Sequence, residues 1–116
     1  MLETKEVTFN VVDDSTSGSF IPKASFVVQA VGTIDANVQF IVQQLPYQLA
    51  DTSTSWATAP MSPVAIEADS PVSTVNYAYG FKYRIMKGGT GTQSTAGLVF
   101  HIGHGTVERA AFASNN

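Results

Sequence analysis

Residues 81–86 read Phe-Lys-Tyr-Arg-Ile-Met, and residues 38–43 read Val-Gln-Phe-Ile-Val-Gln. In both stretches every second residue is large and apolar, which is the period of a β-strand with one buried face. The same alternation recurs in four further stretches, residues 7–11, 26–30, 64–68 and 98–102. Two more strands are expected at residues 72–79 and 106–112. The pattern therefore predicts seven or eight short strands.

Glycine and proline separate these stretches, and no window of eleven or more residues carries a helical apolar stripe. The glycine-rich residues 88–91 lie between two strong strands and predict a hairpin loop. Short antiparallel strands in this number favour an all-β, two-sheet sandwich, with a jelly roll as the first choice and an immunoglobulin-like sandwich as the second. The expected core residues are Phe9, Phe26, Phe40, Phe81, Tyr83, Ile85 and Phe100.

Length and composition restrict the class of protein. The chain has 116 residues, the size of one domain, so residues 1–116 are expected to form a single sandwich. With 6 Lys and Arg against 9 Asp and Glu, it lacks the basic excess of a general nucleic-acid binder. The absence of cysteine excludes disulfides, thiolate metal sites and cysteine nucleophiles. A charged start without an apolar run predicts cytoplasmic synthesis, with no signal peptide and no membrane helix.

Several residues are candidates for catalysis or metal binding. His101 and His104 resemble a ligand pair, but residues three apart on a strand point to opposite faces, and Glu108 is the only nearby carboxylate. Glu67 and Asp69 share one face of a predicted strand, where solvated carboxylates are expected. The glycine loop precedes a strand, whereas a phosphate site needs a helix N-terminus. We therefore predict no catalytic residue, no metal and no cofactor, and expect a protein that is not an enzyme.

Basic residues are unevenly distributed. No Lys or Arg occurs between Lys23 and Lys82, and then Lys82, Arg84 and Lys87 follow closely. Lys82 and Arg84 are two apart and so share the outward face of one strand. One interpretation is a basic stripe that meets an acidic patch on another subunit. The other is an ordinary solvated strand face.

Some outward-facing positions are apolar. Ile41 lies between Gln39 and Gln43, and the same feature occurs at three valines, Val27, Val31 and Val99. Strands that are apolar on both faces are buried on both, which predicts cover by a neighbouring chain. Tyr47 and Trp56 border a long polar loop and are candidate contact anchors. Alternatively, Trp56 folds back over the edge of the core.

Two parts of the chain carry a family resemblance. Residues 24–56 contain a strand ending in glycine, then Ala-Asn-Val-Gln-Phe, then a loop ending in Ser-Trp; residues 79–100 contain Tyr-Gly-Phe-Lys-Tyr-Arg-Ile, a glycine-threonine loop and Gly-Leu-Val-Phe. These features resemble small β-sandwich virion proteins of tailed bacteriophages. The loop before Trp56 departs from that pattern, since it is long and lacks an Asp-Gly turn.

The resemblance implies a structural role in a virion. It points to a capsid decoration (cement) protein on the capsid surface, acting as a dimer or trimer whose partners are the major capsid protein or other virion subunits. Neither nucleic acid nor membrane is an expected partner. Two alternatives stay open: a phage fibre or tail-tip module, and a carbohydrate-binding sandwich that stacks sugars on Trp56 and Tyr47. The candidate partner-binding residues are Lys82, Arg84, Lys87, Ile41, Tyr47 and Trp56.

Overall fold

The described residues of the computed structural model are 2–8, 15–93 and 98–105, and they form eight β-strands in two antiparallel sheets. The strands are β1 Leu2–Thr8, β2 Phe26–Val31, β3 Val38–Pro46, β4 Ala57–Thr58, β5 Met61–Ser62, β6 Val72–Val75, β7 Phe81–Gly89 and β8 Val99–Gly105. The predicted all-β two-sheet sandwich is confirmed. No helix long and apolar enough to cross a membrane occurs in this part of the chain.

The strand order is that of a jelly roll. One sheet runs β1-β8-β2-β6-β5 and the other β4-β3-β7. Residues 15–20, which we call the edge segment, extend the smaller sheet beyond β7 through backbone hydrogen bonds between Phe20 and Tyr83 and from Ser17 N to Ile85 O. The pairs are therefore nested: β1 with β8, the edge segment with β7, β2 with β6, and β3 with β4. Such nesting is the jelly-roll arrangement.

The edge segment is attached through a buried serine. The Ser17 hydroxyl accepts a hydrogen bond from Ile85 N at 2.9 Å and donates to the carbonyl of Gly18 at 2.9 Å. Thr16 bridges Met86 whereas Phe20 bridges Tyr83, so the edge segment uses one more residue than β7 over this span. An extra residue of this kind is a β-bulge. At the bulge, the Ser17 hydroxyl supplies the acceptor for the backbone N–H of Ile85.

The core lies between the two sheets and is built from the alternation read in the sequence. Phe40 meets Phe100 edge to face at 4.9 Å between ring centroids, and Phe26 meets Tyr83 at 5.3 Å. Each of these pairs joins one sheet to the other, and edge-to-face packing adds to the hydrophobic gain of burial. The predicted core residues Phe26, Phe40, Tyr83, Ile85 and Phe100 are buried, and Phe81 is half-buried against the same cluster. Phe9 lies outside the described residues.

Three sequence predictions are corrected. Residues 64–68 do not form a strand; they bend and bridge β3 at Ile66 before a tight turn. The strand predicted at 72–79 ends at Val75. The glycine-rich residues 88–91 do not begin a hairpin, because β7 and β8 belong to different sheets. The predicted strand at 106–112 lies outside the described residues.

The glycines at the end of β7 have a packing role. Gly91 N donates to the carbonyl of Asn37 at 2.8 Å. A Cβ at Gly91 would clash with the Ala36 carbonyl oxygen, and one at Gly89, where φ is +88°, would lie 2.5 Å from that of Asn37. Only glycine permits this approach of two backbones. Since a second backbone occupies this space, the loop does not offer it to a phosphate.

Candidate interaction surfaces

The outer face of the smaller sheet carries the predicted basic residues, and the chain itself engages them. Lys82 forms an ion pair with Asp51, which lies in the loop between β3 and β4. Ser19 also donates a hydrogen bond to the Asp51 carboxylate, at 2.7 Å. The hydrogen bond from Lys82, then that from Ser19, lowers the pKa of Asp51 below its ordinary value. Lys82 is therefore partnered within its own chain.

Arg84 is held by the same loop. Its guanidinium lies over the Trp56 ring, 4.1 Å from the centroid, and its Nε donates to Gln43 Oε1 at 2.9 Å. The Trp56 indole donates in turn to the carbonyl of Asp51 at 3.0 Å. Guanidinium stacking on indole is favourable at this distance. Trp56 therefore folds back onto its own sheet, which agrees with the second interpretation of this side chain, a tryptophan folded back onto the domain, and not with an anchor for a partner.

This loop covers an apolar side chain on the outer face. Leu45 pairs with Lys82 in the β3–β7 register, which places it on the outward side, yet it is fully buried. It does not belong to the cluster between the sheets. The contacts of Asp51 and Trp56 hold residues 47–56 against this face. We call residues 47–56 the cover loop. The apolar outward position at Leu45 is therefore sealed within the chain.

Lys87 is not part of the basic stripe. It alternates with Tyr83 and Ile85 on β7 and is buried, so it lies on the opposite face from Lys82 and Arg84. Its ammonium donates to the carbonyl of Gly91, within the turn that follows β7. The expectation that Lys87 faces a partner beside the other two cations is wrong. Ile41 does lie on the outer face and is half-buried.

The outer face of the larger sheet differs. In the described parts of β2, β6 and β8 its outward residues are Val27, Gln29, Val31, Val72, Thr74, Val99, His101 and Gly103. Val31 lies opposite Val99, and Gln29 lies between Val72 and His101. We call Val27, Val31, Val72 and Val99 the valine face. Val31 is 47% exposed, and Val27 and Val72 are each 39% exposed.

Neither His101 nor the acidic pair forms a recognisable centre of chemistry among the described residues; the side chain of His104 and all of Glu108 lie outside them. His101 is exposed on β8 beside the valine face. Glu67 and Ser70 exchange backbone hydrogen bonds at 3.1 and 3.0 Å, so Glu67 and Asp69 belong to a tight turn and not to a strand. Among the described residues, no group of three or more His, Asp or Glu side chains is placed to hold a metal ion.

Tyr47 belongs to an aromatic groove that the sequence reasoning missed. The groove lies where β3 ends and β7 begins, has a volume of about 280 Å³, and is lined by Ile21, Tyr47, Tyr77, Tyr79, Gly80 and Phe81. A signal was present in the sequence, since residues 77–81 read Tyr-Ala-Tyr-Gly-Phe. A strand predicted over residues 72–79 hides this signal, because it places Tyr77 and Tyr79 within a strand and not in the turn before β7. We call these six residues the tyrosine groove.

Comparisons with protein-family models, with curated protein sequences and with solved structures return no match for this chain.

Proposed function

We propose that the protein is a structural virion protein, a capsid decoration (cement) protein that binds the outside of a phage capsid and stabilises it. The observation that carries the proposal is the valine face. Its partners would be the major capsid protein or further copies of this chain, in a dimer or trimer. The sequence resemblance to phage virion sandwiches supports the same role.

The physical argument concerns solubility and burial. Isolated apolar residues are ordinary on a protein surface, but contiguous apolar patches mark contact surfaces. Burial of apolar area contributes about 25 cal/mol per Å². On this face Val31 lies opposite Val99, whereas Val72 lies opposite Gln29 and Val27 lies opposite Thr74 and Gly103. No Lys, Arg, Asp or Glu occurs among the described outward residues of β2, β6 and β8. Dehydration of these three strands therefore carries a low electrostatic cost, which suits a fixed assembly. The charged residue nearest in the sheet is Glu6 of β1, which lies opposite His101.

The alternative of a fibre or tail-tip module uses the same face but requires a trimer. The carbohydrate alternative, in its form centred on Trp56, is weakened because Arg84 already stacks on that ring. A sugar on the same ring face would have to displace the guanidinium. No described arrangement of residues supports an enzymatic proposal.

The first test is molar mass by light scattering at about 5 and about 50 μM, concentrations that bracket micromolar association. It is paired with co-sedimentation on capsid shells that lack the protein. We expect Val31→Lys to abolish self-association or shell binding, because a desolvated ammonium without a partner is costly. Leu49→Lys is the matched control, since Leu49 is 41% exposed but lies in the cover loop of the other sheet. Equal binding by wild type and Val31→Lys would refute the proposal.

A further inference from the structure

We propose that the tyrosine groove binds a neutral hexose or N-acetylhexosamine oligosaccharide. This site is separate from the valine face and does not depend on the proposed capsid role. It also differs from the sugar site expected at Trp56 and Tyr47, because Trp56 does not line the groove.

The groove is built on fixed backbone. Tyr47 N donates to the Gly80 carbonyl at 2.9 Å, which joins the turn after β3 to the turn before β7. Ala78 N donates to the buried hydroxyl of Tyr83 at 2.9 Å, and Tyr77 N donates to the Ser25 hydroxyl at 3.0 Å. Each turn is therefore anchored to the sandwich. A preformed site avoids the entropy cost of ordering loops on binding.

The exposed rings point to a ligand. Tyr79 is 92% exposed and Tyr47 is 55% exposed, whereas Tyr77 packs against Tyr83 at 6.3 Å between centroids. A solvent-facing tyrosine ring gains nothing from the core, and tyrosine combines an apolar ring with a polar tip. The C–H face of a pyranose packs on such a ring, and the phenol hydroxyl bonds to sugar hydroxyls. This combination of apolar area and hydroxyls matches a saccharide.

Charge and size narrow the ligand class. None of the six lining residues carries a charge, so nothing in the described lining compensates an anionic or cationic sugar. The volume of about 280 Å³ is below the range of about 300–1,000 Å³ typical of drug-sized ligands, so it favours one or two sugar rings. Proline-rich peptides also bind aromatic grooves, in an extended conformation that rises about 3.1 Å per residue, so a proline peptide is the competing probe in the test.

The test is isothermal titration of the purified protein with maltohexaose, cellohexaose, mannohexaose, chitohexaose and lacto-N-neotetraose, with decaproline as the competing peptide probe. We expect at least one saccharide to bind and decaproline not to bind. Tyr79→Ala should weaken that saccharide by about tenfold or more, as truncation of a central aromatic contact does. Tyr79→Phe, which keeps the ring, should retain most of the affinity.

Two controls make the result specific. Because the Tyr79 side chain is almost fully exposed, Tyr79→Ala should leave the unfolding midpoint unchanged. Val72→Ala, on the valine face, should leave saccharide affinity unchanged. Absence of binding to all five saccharides, binding of decaproline alone, or affinity unaltered by Tyr79→Ala would each overturn the proposal. A negative saccharide titration does not change the light-scattering result for Val31→Lys. The saccharide proposal and the capsid proposal can therefore be refuted independently of each other.

Discussion

Outward-facing apolar residues are buried on one sheet of the sandwich and exposed on the other. On the smaller sheet, Leu45 points outward and is fully buried, because the cover loop lies over that face. On the larger sheet, Val31 also points outward and remains 47% exposed. The same sequence signal, an apolar residue on the polar side of an alternating strand, thus has two outcomes. The outward apolar residue on the smaller sheet is buried because the cover loop of the same chain is anchored over it through Lys82 and Arg84.

This contrast separates folding from assembly. An outward apolar residue covered by its own loop contributes to the stability of the monomer. One left open contributes only when another molecule covers it. The outer face of the smaller sheet is therefore part of the folded unit, whereas Val27, Val31 and Val72 on the valine face are exposed to solvent. The following changes test that division.

The largest effect is expected for Leu45→Ala. Removing a fully buried leucine leaves a cavity and should lower the free energy of unfolding by about 2–4 kcal/mol. Val31→Ala on the other face should cost about 0.5 kcal/mol or less, since surface substitutions have small effects. Urea unfolding of both variants measures the difference. Equal losses would mean that the cover loop does not exclude water from Leu45.

The stacking of Arg84 on Trp56 should contribute a smaller amount. A double-mutant cycle of Arg84→Gln and Trp56→Leu, which remove the guanidinium and the aromatic ring, should give a coupling free energy of about 0.5–1 kcal/mol, the usual range for a partly exposed cation–π pair. Either single change should also make the cover loop more susceptible to proteolysis, because each releases one contact of the loop with the sheet. Lys23→Gln, far from this stack in the sequence, is a suitable control. A coupling indistinguishable from zero would show that the stack does not hold the loop.

The smallest effect concerns pH. The pKa of Asp51 is lowered in the folded protein, so its contribution to stability is fully present above its ordinary value of 3.8 and is lost as pH falls through the lower folded-state value. Thermal unfolding of wild type between about pH 5 and about pH 2 should therefore show a decrease that Asp51→Asn reduces. Exposed ion pairs contribute little, so the difference will be small. An identical pH dependence in both proteins would exclude a role for this ion pair.

Sequence alternation predicted β2, β3, β7, β8 and the core, because burial of one face is a local property that leaves a period-two trace. It failed at residues 64–68, where the same trace belongs to a bend, and it did not indicate the two-residue strands β4 and β5. The alternation also indicates the position of Lys87: counting in steps of two from Phe81 places Lys87 on the inner face, which is unusual for a lysine. The cover over Leu45 could not be predicted, since it depends on where residues 47–56 lie in three dimensions. The same holds for the crossing of the chain from β7 to β8, because a pattern specifies strands and not their connections.

The nested pairing has a consequence for the order in which the fold can be completed. β8 lies between β1 and β2 in the larger sheet. While the chain is being synthesised, β1 and β2 have no shared neighbour until residues 99–105 emerge from the ribosome. Pairings between distant parts of a chain slow folding, and unpaired strand edges are prone to intermolecular pairing. Until residues 99–105 are available, β1 and one edge of β2 have no partner within the chain, so these two edges are where intermolecular pairing is expected during synthesis.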